Sequence, residues 1–292
     1  MVDAVLVTGA TGSTGSALLE LLVSRGVGVR AMVRREGDAT RIAAAGVDAV
    51  VADFDDEAAS RNALQEVDRV YVVTPSSERA EDQQRRFIEL ATATGVQHVV
   101  KLSQLGADES SPVRFLRWHA AVERRIRELG VGYTFLRPNL FFQGLFAFAG
   151  TIAAEGRFFA PIGDARVSAV DVRDIAAVAA AALTEPGHED QTYTITGPAA
   201  ITHSDIAEAL SAATGREIEF VDVPPEAFRA SLEGVLPDWQ LDGLVEDYAH
   251  YRRGDAADVL STVLDVTGIE PRDITHFARD YADRFTAPAT QT

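Results

Sequence analysis

Short apolar runs alternate with longer amphipathic stretches along the first half of this chain. The runs, bounded by turn residues, predict strands, and the stretches between them repeat with helical spacing. Because the runs are apolar on both faces, they are typical of a parallel sheet covered by helices on both sides. The pattern predicts an α/β fold with a doubly wound parallel sheet. The predicted strands lie at 4–7, 29–33, 49–52, 70–73, 99–102 and 133–136, with helices at about 15–26, 38–45, 57–66, 79–94 and 112–129.

The second half of the chain has a less regular pattern. We expect a strand at 167–170 and then an alanine-rich helix that begins with Asp174 as its N-cap and ends near Leu183. The remaining predictions are a strand at 193–196, a helix from Thr202, a strand at 218–221 and mainly helix over 225–285.

Residues 144–163 are rich in aromatic side chains and glycine, which is consistent with a substrate-facing lid or a hydrophobic subunit contact. Phe141 and Phe142, just before this segment, are candidates to line a pocket for a flat apolar substrate, with a core role for one of the two. We expect residues 1–148 to form the large sheet domain. A smaller substrate-covering region is expected over 149–292, with elements at about 174–197 returning to the large sheet.

The first predicted strand runs directly into a turn that carries three glycines at intervals of three residues. Glycine lets the chain turn sharply and lets a phosphate approach the backbone without a Cβ in the way. A helix begins immediately afterwards, and a helix N-terminus favours an anion. The arrangement predicts a Rossmann dinucleotide site, and the alternative is a glycine-rich turn without a ligand. The predicted phosphate-binding residues are Gly9, Thr11, Gly12, Ser13, Thr14 and Gly15.

The end of the second predicted strand indicates which dinucleotide binds. NAD-binding proteins of this fold usually carry an acidic residue there, whereas this chain reads Val33-Arg34-Arg35. A guanidinium group can bind a 2′-phosphate with two hydrogen bonds. We therefore expect NADP(H) rather than NAD(H), with Arg34 as the phosphate ligand. Alternatively, both arginines are solvated loop residues without a ligand, and this interpretation fits Arg35 better than Arg34.

Further cofactor contacts are predicted where the later strands end, since ligands bind at the carboxyl ends of parallel strands. Asp53 and Phe54 are placed to meet the adenine amine and the adenine ring. Asn139 either faces the nicotinamide carboxamide or the substrate, or caps the backbone. The full set at these strand ends is Asp53, Phe54, Thr74, Pro75, Pro138 and Asn139.

Composition and charge exclude several classes of function. The net charge of −17 argues against a nucleic-acid partner, and no apolar run is long enough for a membrane span. Cysteine is absent, which excludes disulfides and thiol catalysis and suits the cytoplasm. The first residues enter a strand directly, so no signal peptide is expected. Neither metal-ligand spacing nor a nucleophile elbow is present, and the glycine loop lacks the ending of a mononucleotide P-loop.

Lys101 is the only lysine of the chain, and it lies in the fifth predicted strand. Lys101 and Ser103 are two residues apart and should therefore share one face of that strand. A buried lysine is costly without an anion, so we expect Lys101 to contact a phosphate or to lie at an edge rather than to take part in catalysis.

Taken together, these residues resemble the NmrA-like group of atypical short-chain dehydrogenases/reductases, over nearly the whole chain. The resemblance implies a Rossmann fold that binds NAD(P). That group contains NADPH-dependent quinone and azo reductases, biosynthetic reductases, and proteins that sense the redox state of the dinucleotide. The matching elements are the 9–15 loop, Val33-Arg34, Asp53-Phe54, Lys101-Leu102-Ser103 with Gly106, and Gly132-Tyr133-Thr134-Phe135-Leu136-Arg137-Pro138-Asn139.

The chain departs from the family at the usual proton donor. Standard members carry a tyrosine four residues before a lysine on the fifth helix, and the corresponding positions here are Phe115 and His119. Phenylalanine cannot donate a proton. His119 is the candidate replacement, the alternative being a structural histidine that caps a helix–sheet contact or pairs with Glu123. Ser103 or Gln104 can stand for the family's substrate-orienting serine.

The leading functional hypothesis is an NADPH-dependent reductase of a conjugated or aromatic acceptor such as a quinone, enone, imine or azo compound. Hydride transfer to such acceptors depends mainly on positioning over the nicotinamide, and it tolerates the missing tyrosine. The competing hypotheses are an NADP(H)-sensing regulator without turnover, and a biosynthetic enzyme that retains the fold. The expected partner is a small apolar or aromatic substrate, with the protein a monomer or homodimer.

Overall fold

The structure, a computed structural model, describes residues 4–286, which form nine strands and twelve α-helices within that range. The strands are β1 (Val5–Val7), β2 (Val29–Val33), β3 (Asp48–Val51), β4 (Arg69–Val72), β5 (His98–Leu102), β6 (Gly132–Pro138), β7 (Arg157–Ala160), β8 (Gln191–Ile195) and β9 (Glu219–Asp222). The helices are α1 (Ser13–Ser24), α2 (Glu36–Ala44), α3 (Glu57–Ala63), α4 (Ala80–Ala93), α5 (Arg114–Leu129), α6 (Ala149–Glu155), α7 (Val172–Thr184), α8 (His203–Thr214), α9 (Pro225–Ser231), α10 (Asp238–Arg252), α11 (Thr262–Thr267) and α12 (Ile274–Asp280). Two 3-10 helices cover Phe142–Phe148 and Ala282–Phe285.

Seven strands form the large sheet in the order β3-β2-β1-β4-β5-β6-β8, and every neighbouring pair is parallel. From β1 the chain adds strands outward on one side, and from β4 it adds them on the other side. The switch point in strand order therefore lies between β1 and β4, which is where doubly wound sheets bind ligands. One buried apolar cluster packs α1 and α7 on one face, and another packs α4 and α5 on the other. The doubly wound Rossmann fold predicted from the sequence is confirmed.

The second half of the chain contributes both to this sheet and to a smaller one. Helix α7 packs against α1, and β8 extends the large sheet beyond β6. Strands β7 and β9 pair in parallel as a separate sheet, and a third apolar cluster lies between this sheet, α8 and α12. None of the helices described between residues 4 and 286 has the length and apolar character needed to cross a membrane.

Two sequence predictions in this half were wrong. Residues 167–170 form isolated bridges rather than a strand, since Val167 pairs with Ile201 and Val170 with Phe141. The N-cap of α7 is Asp171, whose carboxylate accepts a hydrogen bond from the backbone N–H of Arg173. The predicted cap, Asp174, lies inside the first turn, where its buried carboxylate pairs with Arg272.

The aromatic segment predicted as a lid or subunit contact packs mainly inward. Phe142 and Phe158 are almost fully buried in the third cluster, and Phe146 stacks on Phe277 with ring centroids 5.7 Å apart. Phe141 instead faces a cavity at the edge of the large sheet. The prediction that one of the neighbouring pair Phe141 and Phe142 lies in the core is therefore confirmed for Phe142.

Candidate functional site

The glycine loop after β1 needs two of its glycines for steric reasons. Gly9 has a φ of +58°, and a Cβ added there would lie 2.6 Å from Val73 Cγ1. A Cβ added at Gly15 would lie 2.2 Å from the carbonyl oxygen of Gly9. Thr8 fastens the loop to β4, because its hydroxyl accepts a 2.9 Å hydrogen bond from the Val73 N–H. The loop is therefore folded back tightly on itself and on the neighbouring strand.

Helix α1 begins directly behind this loop with no side chain over its end. Its N-cap is Gly12, so no side-chain cap is present, and no partner among the described residues bonds to the N–H groups of Ser13, Thr14 and Gly15. Thr11, Gly12 and Ser13 are exposed at the tip, whereas Thr14 and Gly15 are buried. Unpaired N–H groups at a helix N-terminus favour an anion, so the loop fits the pyrophosphate of a dinucleotide.

The two arginines after β2 differ in their contacts. Arg35 donates a 2.9 Å hydrogen bond to Asp38, which also binds Arg41. Arg34 is exposed, and no group in the described part of the chain bonds to its guanidinium. Arg34 is thus the arginine with hydrogen-bonding capacity left for a 2′-phosphate.

The residues predicted to meet the adenine lie at the end of β3, away from the cavity described below. Asp53 is exposed, and its carboxylate accepts a 2.9 Å hydrogen bond from the Asp55 N–H. Phe54 packs edge-to-face on Phe87 with ring centroids 5.0 Å apart. One face of the Phe54 side chain is therefore already occupied by α4.

A cavity of about 550 Å³ opens where β4, β5 and β6 end, and α10 covers its far side. Its aromatic side chains come from α5, α10 and the segment after β6, and the segments after β4 and β5 supply much of the rest of its wall. Eight residues that the sequence offered as site candidates meet in this lining, while the glycine loop, Arg34, Asp53 and Phe54 lie outside it. The eight are Thr74, Pro75, Ser103, Gln104, His119, Pro138, Asn139 and Phe141.

Lys101 forms a buried pair with His119. Strand β5 lies between β4 and β6, so Lys101 is in the middle of the sheet, and its side chain is fully buried. Its Nζ atom lies 2.8 Å from His119 Nδ1 and donates a 2.8 Å hydrogen bond to the Leu102 carbonyl. The prediction that Lys101 contacts a phosphate or lies at an edge was therefore wrong, because α5 supplies the partner that the burial of its amine requires.

Burial also changes the protonation of this pair. It lowers the pKa of Lys101 to about 7. Burial, followed by the charges of Lys101 and Arg137, holds the pKa of His119 well below its ordinary value. His119 is therefore neutral. With Lys101 donating to Nδ1, we assign the ring proton to Nε2, the nitrogen left for the cavity that His119 lines.

Glu123, one turn after His119, has other partners. Its fully buried carboxylate accepts two hydrogen bonds from Arg137, at 2.6 and 3.0 Å. The Ser103 hydroxyl donates a third at 2.6 Å, so its proton is already engaged. Lys101 in β5 and Ser103 directly after it lie on the same face, as predicted, since both reach α5. The alternative in which His119 pairs with Glu123 is not what the structure shows.

Asn139 is held by the protein itself. Its Nδ2 atom donates to Ser168 Oγ and to the Ala256 carbonyl, both at 2.8 Å, and its Oδ1 atom accepts from the Leu140 N–H at 2.7 Å. Of the two roles considered for Asn139, these contacts match the backbone cap, and they fix the end of β6 beneath the cavity. Thr74 is similarly oriented, because its hydroxyl accepts a 2.9 Å hydrogen bond from Gln84.

Phe115, the residue expected to stand where standard family members carry tyrosine, packs against α10. A Cβ added at Gly243 would lie 2.2 Å from Phe115 Cζ, so the ring occupies the space that a side chain at Gly243 would fill. The ring also meets Trp118 edge-to-face with centroids 5.5 Å apart. Phe115 therefore joins α5 to α10 and forms part of the cavity wall.

Helix α10 brings an acid that the sequence reasoning missed. Asp247 lines the cavity, is 8% exposed, and accepts a 3.0 Å hydrogen bond from Gln104 Nε2. Burial, reinforced by the charge of Glu246, raises the pKa of Asp247 to about 7. The available signal was a helical stripe with spacings of four, three and four residues, in which an acid stands among larger side chains. The stripe is Gln240, Leu244, Asp247 and Tyr251.

Over residues 4–286, no group of three or more histidine, aspartate and glutamate side chains is arranged to hold a metal ion.

Comparisons with known proteins match the chain over most of its length. A model of the NmrA-like family covers residues 1–265. The NAD(P)H azoreductase of Xenophilus azovorans is 37% identical over 97% of this chain and 99% of its own length. The (4-alkanoyl-5-oxo-2,5-dihydrofuran-3-yl)methyl phosphate reductase of Streptomyces griseus is 36% identical over 96% and 99%. The crystal structure of an Escherichia coli NADPH-dependent quinone oxidoreductase complexed with NADPH superimposes with a TM-score of 0.84 at 29% identity, covering 94% of this chain and 98% of that one.

Proposed function

Since the chain belongs to the NmrA-like family, we propose that it is an NADPH-dependent reductase of flat conjugated or aromatic acceptors. The observation that carries this proposal is the aromatic-walled cavity at the ends of β4, β5 and β6, beside a glycine loop shaped for a dinucleotide. Relatives named as reductases, 36% and 37% identical over almost the whole chain, support an enzyme rather than a regulator without turnover.

The chain's residues fit NADPH at two places. The tight loop between Gly9 and Gly15 leaves the N–H groups of α1 for the pyrophosphate. Arg34, which has no partner in the described structure, binds the 2′-phosphate and gives the preference for NADP(H) over NAD(H). When bound, NADPH supplies the hydride that the reaction consumes.

The cavity positions the acceptor by its shape and its walls. Phe115, Trp118, Phe141 and Tyr251 line it, and together they favour a flat apolar molecule. An acceptor that packs on these rings displaces water from the reacting atoms. Orientation of this kind is the main requirement for hydride transfer to a conjugated acceptor.

His119 and Lys101 supply the proton that a quinone or enone needs. His119 donates its Nε2 proton to the acceptor oxygen, and Lys101 Nζ transfers a proton to Nδ1 across their 2.8 Å contact. After both transfers His119 is again neutral and Lys101 has become a neutral amine, so the net proton comes from Lys101. With a pKa of about 7, Lys101 can release and regain this proton near neutral pH. His119 is the catalytic residue, and Lys101 acts through it.

Absorbance of the reduced nicotinamide tests the proposal directly. The protein is mixed with NADPH and, separately, with a neutral quinone, an enone, an imine and an azo dye, and each rate is compared with that of the acceptor alone. We expect enzyme-dependent oxidation of NADPH with at least one acceptor. Tight binding of NADPH without oxidation by any acceptor would establish the sensor instead. Absence of NADPH binding would exclude both functions.

A further inference from the structure

Asp247 is a buried carboxyl group in the cavity wall with a single hydrogen-bond partner. The residue is 8% exposed, and its Oδ1 atom accepts a 3.0 Å hydrogen bond from Gln104 Nε2. Among residues 4–286, no donor bonds to Oδ2 and no cationic side chain pairs with the group. An ionised carboxylate in this position is costly, because it has lost most of its hydration without gaining a counterion. The uncharged carboxylic acid avoids that cost.

The charged groups near Asp247 also favour the uncharged form. Besides Asp247, the charged side chain in the cavity lining is Glu81, and the described lining contains no arginine or lysine. Glu81 has its own partner, Arg85, at 3.4 Å. Glu246, the residue before Asp247 on α10, adds a negative charge and is itself bound by Arg114 at 2.7 Å. The described lining therefore provides no cation that would hold Asp247 ionised.

The remaining titratable groups around Asp247 are neutral. Burial raises the pKa of Tyr248 to about 12 and that of Tyr251 well above its ordinary value, so both are phenols. His119 on α5 is neutral, and Lys101 lies behind it rather than in the lining. Burial raises the pKa of Asp247 itself to about 7, so the acid predominates below that pH.

The contact with Gln104 decides which oxygen carries the proton. A neutral carboxyl group has one oxygen that only accepts and one O–H group that donates. With Gln104 donating through Nε2, Oδ1 is the accepting oxygen, so we assign the proton to Oδ2. Within the described part of the chain no acceptor bonds to this O–H group, and Asp247 lines the cavity. The donor is therefore left for a ligand.

We infer that Asp247, oriented by Gln104, donates a hydrogen bond from Oδ2 to an uncharged oxygen or nitrogen atom of the acceptor and selects acceptors that carry one. This inference rests on the proposed reductase function and adds a specificity-determining residue to its acceptor site. A carboxylic acid kept neutral by an apolar site can donate a hydrogen bond to a substrate atom. Asp247 keeps its proton, and the proton that the reaction consumes comes through His119.

Ionisation of Asp247 reverses this preference. Above about pH 7 both oxygens of the carboxylate present only lone pairs, which repel the lone pairs of a carbonyl oxygen or an azo nitrogen. The affinity for such an acceptor should therefore fall as pH rises through about 7.

Binding without turnover is the first readout. The protein is saturated with NADP⁺, which has no hydride to transfer, and titrated with the quinone menadione at about pH 5.5 and about pH 8.5. Quenching of tryptophan fluorescence reports binding, because Trp118 lies in the cavity wall. Asp247→Asn keeps a donor at both pH values, whereas Asp247→Leu has a similar size and no donor. Asp238→Asn is the matched control, because it removes one exposed carboxylate from the same helix.

We expect the wild-type protein and Asp238→Asn to bind menadione about ten-fold more tightly at the lower pH, near the upper end of what one hydrogen bond contributes. Asp247→Asn should bind at both pH values within roughly two-fold of the wild-type value at the lower pH, and Asp247→Leu about ten-fold more weakly at both. Lys101→Met should keep the wild-type pH dependence, which separates Asp247 from the other group with a pKa near 7. Binding by the wild type that does not change with pH, equal affinities in Asp247→Asn and Asp247→Leu, or loss of the pH dependence in Lys101→Met would each overturn the inference.

The second readout is the oxidation of NADPH by menadione, which separates this inference from the proposed function. Because the hydrogen bond serves recognition, Asp247→Leu should raise KM for menadione about ten-fold and change kcat by less than about three-fold. Turnover of menadione with the same KM in the wild type, Asp247→Asn and Asp247→Leu would refute the role of Asp247 alone. Binding of menadione that depends on Asp247 and on pH, without oxidation of NADPH by any acceptor, would refute the reductase alone.

Discussion

Lys101 Nζ lies 2.8 Å from His119 Nδ1, and this contact links the middle strand of the sheet to the wall of the cavity. A lysine at this depth is stable only with hydrogen-bond acceptors, and the imidazole and the Leu102 carbonyl provide two. The two side chains of this pair come from different elements, the histidine from α5 and the lysine from β5.

Replacing Lys101 with methionine should slow turnover of a quinone while leaving NADPH binding unchanged. Methionine has a similar length but no proton to pass to His119, and general acid catalysis is typically worth about 10²–10⁴-fold in rate. We expect kcat for the quinone menadione to fall by about 10²-fold. The Kd for NADPH should stay within roughly two-fold of the wild-type value, because Lys101 lies outside the phosphate loop.

The pH profile checks that the effect is chemical rather than structural. The ionisable groups facing Lys101 are His119 and Glu123 on α5 and Arg137 on β6. Because the protonated amine is the proton source, the wild-type rate should fall as pH rises through about 7. Lys101→Met should lack this fall. A variant that keeps the wild-type profile at a lower rate would show that Lys101 has only a structural role.

The choice of dinucleotide can be tested with two neighbouring arginines. Arg34→Ala removes a guanidinium that has no partner among residues 4–286, whereas Arg35→Ala removes one that is paired with Asp38. Hydrogen bonds to charged groups contribute about 1.5–3 kcal/mol, so Arg34→Ala should weaken NADPH binding by about 10–100-fold. NADH affinity should hardly change, and Arg35→Ala should keep the wild-type selectivity. Equal losses for the two dinucleotides would refute the assignment to the 2′-phosphate.

The glycine loop gives a steric prediction. In Gly15→Ala the new Cβ would lie 2.2 Å from the Gly9 carbonyl oxygen, and both atoms belong to a tightly held loop. We expect a loss of about 1–3 kcal/mol in the free energy of unfolding, together with loss of NADPH binding. Gly37→Ala is the control, since Gly37 lies in α2 with nothing within 4 Å of an added Cβ. Wild-type NADPH affinity in Gly15→Ala would contradict the predicted role of this loop.

Local signals explain which parts of the site could be predicted. The strands of the first half depend on residues that are neighbours in sequence, and the structure confirms them. The tight turn at 9–15 is a local feature of the same kind, and its role in binding stays a prediction. The partner of Lys101 was not predictable in this way, since strand spacing places Lys101 on a face but does not say what packs there. Asp247 and Gln104 are separated by 143 positions, and no local pattern reports such a contact. Asp174 shows the same limit, because its partner Arg272 lies 98 positions away.

The junction between α5 and α10 should respond to a single methyl group. Gly243→Ala would place a Cβ 2.2 Å from Phe115 Cζ and force the ring or the helix to move. Overpacking of this kind usually costs about 1–3 kcal/mol in stability. If the ring is the cause, combining Gly243→Ala with Phe115→Ala should cost less than the sum of the two single changes. Denaturant unfolding of the wild type, the two single variants and the double variant measures this coupling. If the losses in the free energy of unfolding add strictly, the two residues do not interact.

The dependence of stability on pH provides a last test of the environment of Asp247. The groups around it are Gln104 from the loop after β5, and Glu246, Tyr248 and Tyr251 from α10. Burial raises the pKa of Asp247 to about 7, whereas the pKa of an aspartate in the unfolded chain is about 3.9. Between these two values the folded protein binds more protons than the unfolded chain, so stability falls as pH rises.

Asp247→Asn removes this contribution, because the amide does not titrate. The difference in the free energy of unfolding between Asp247→Asn and the wild type should therefore grow from pH 4 to pH 7 and then level off, reaching at most about 4 kcal/mol. Urea unfolding of both proteins across this range measures it, with Asp238→Asn as the exposed control that should show no such trend. A wild-type protein whose stability matches that of Asp247→Asn at every pH would mean that Asp247 is not held as an unpaired buried acid.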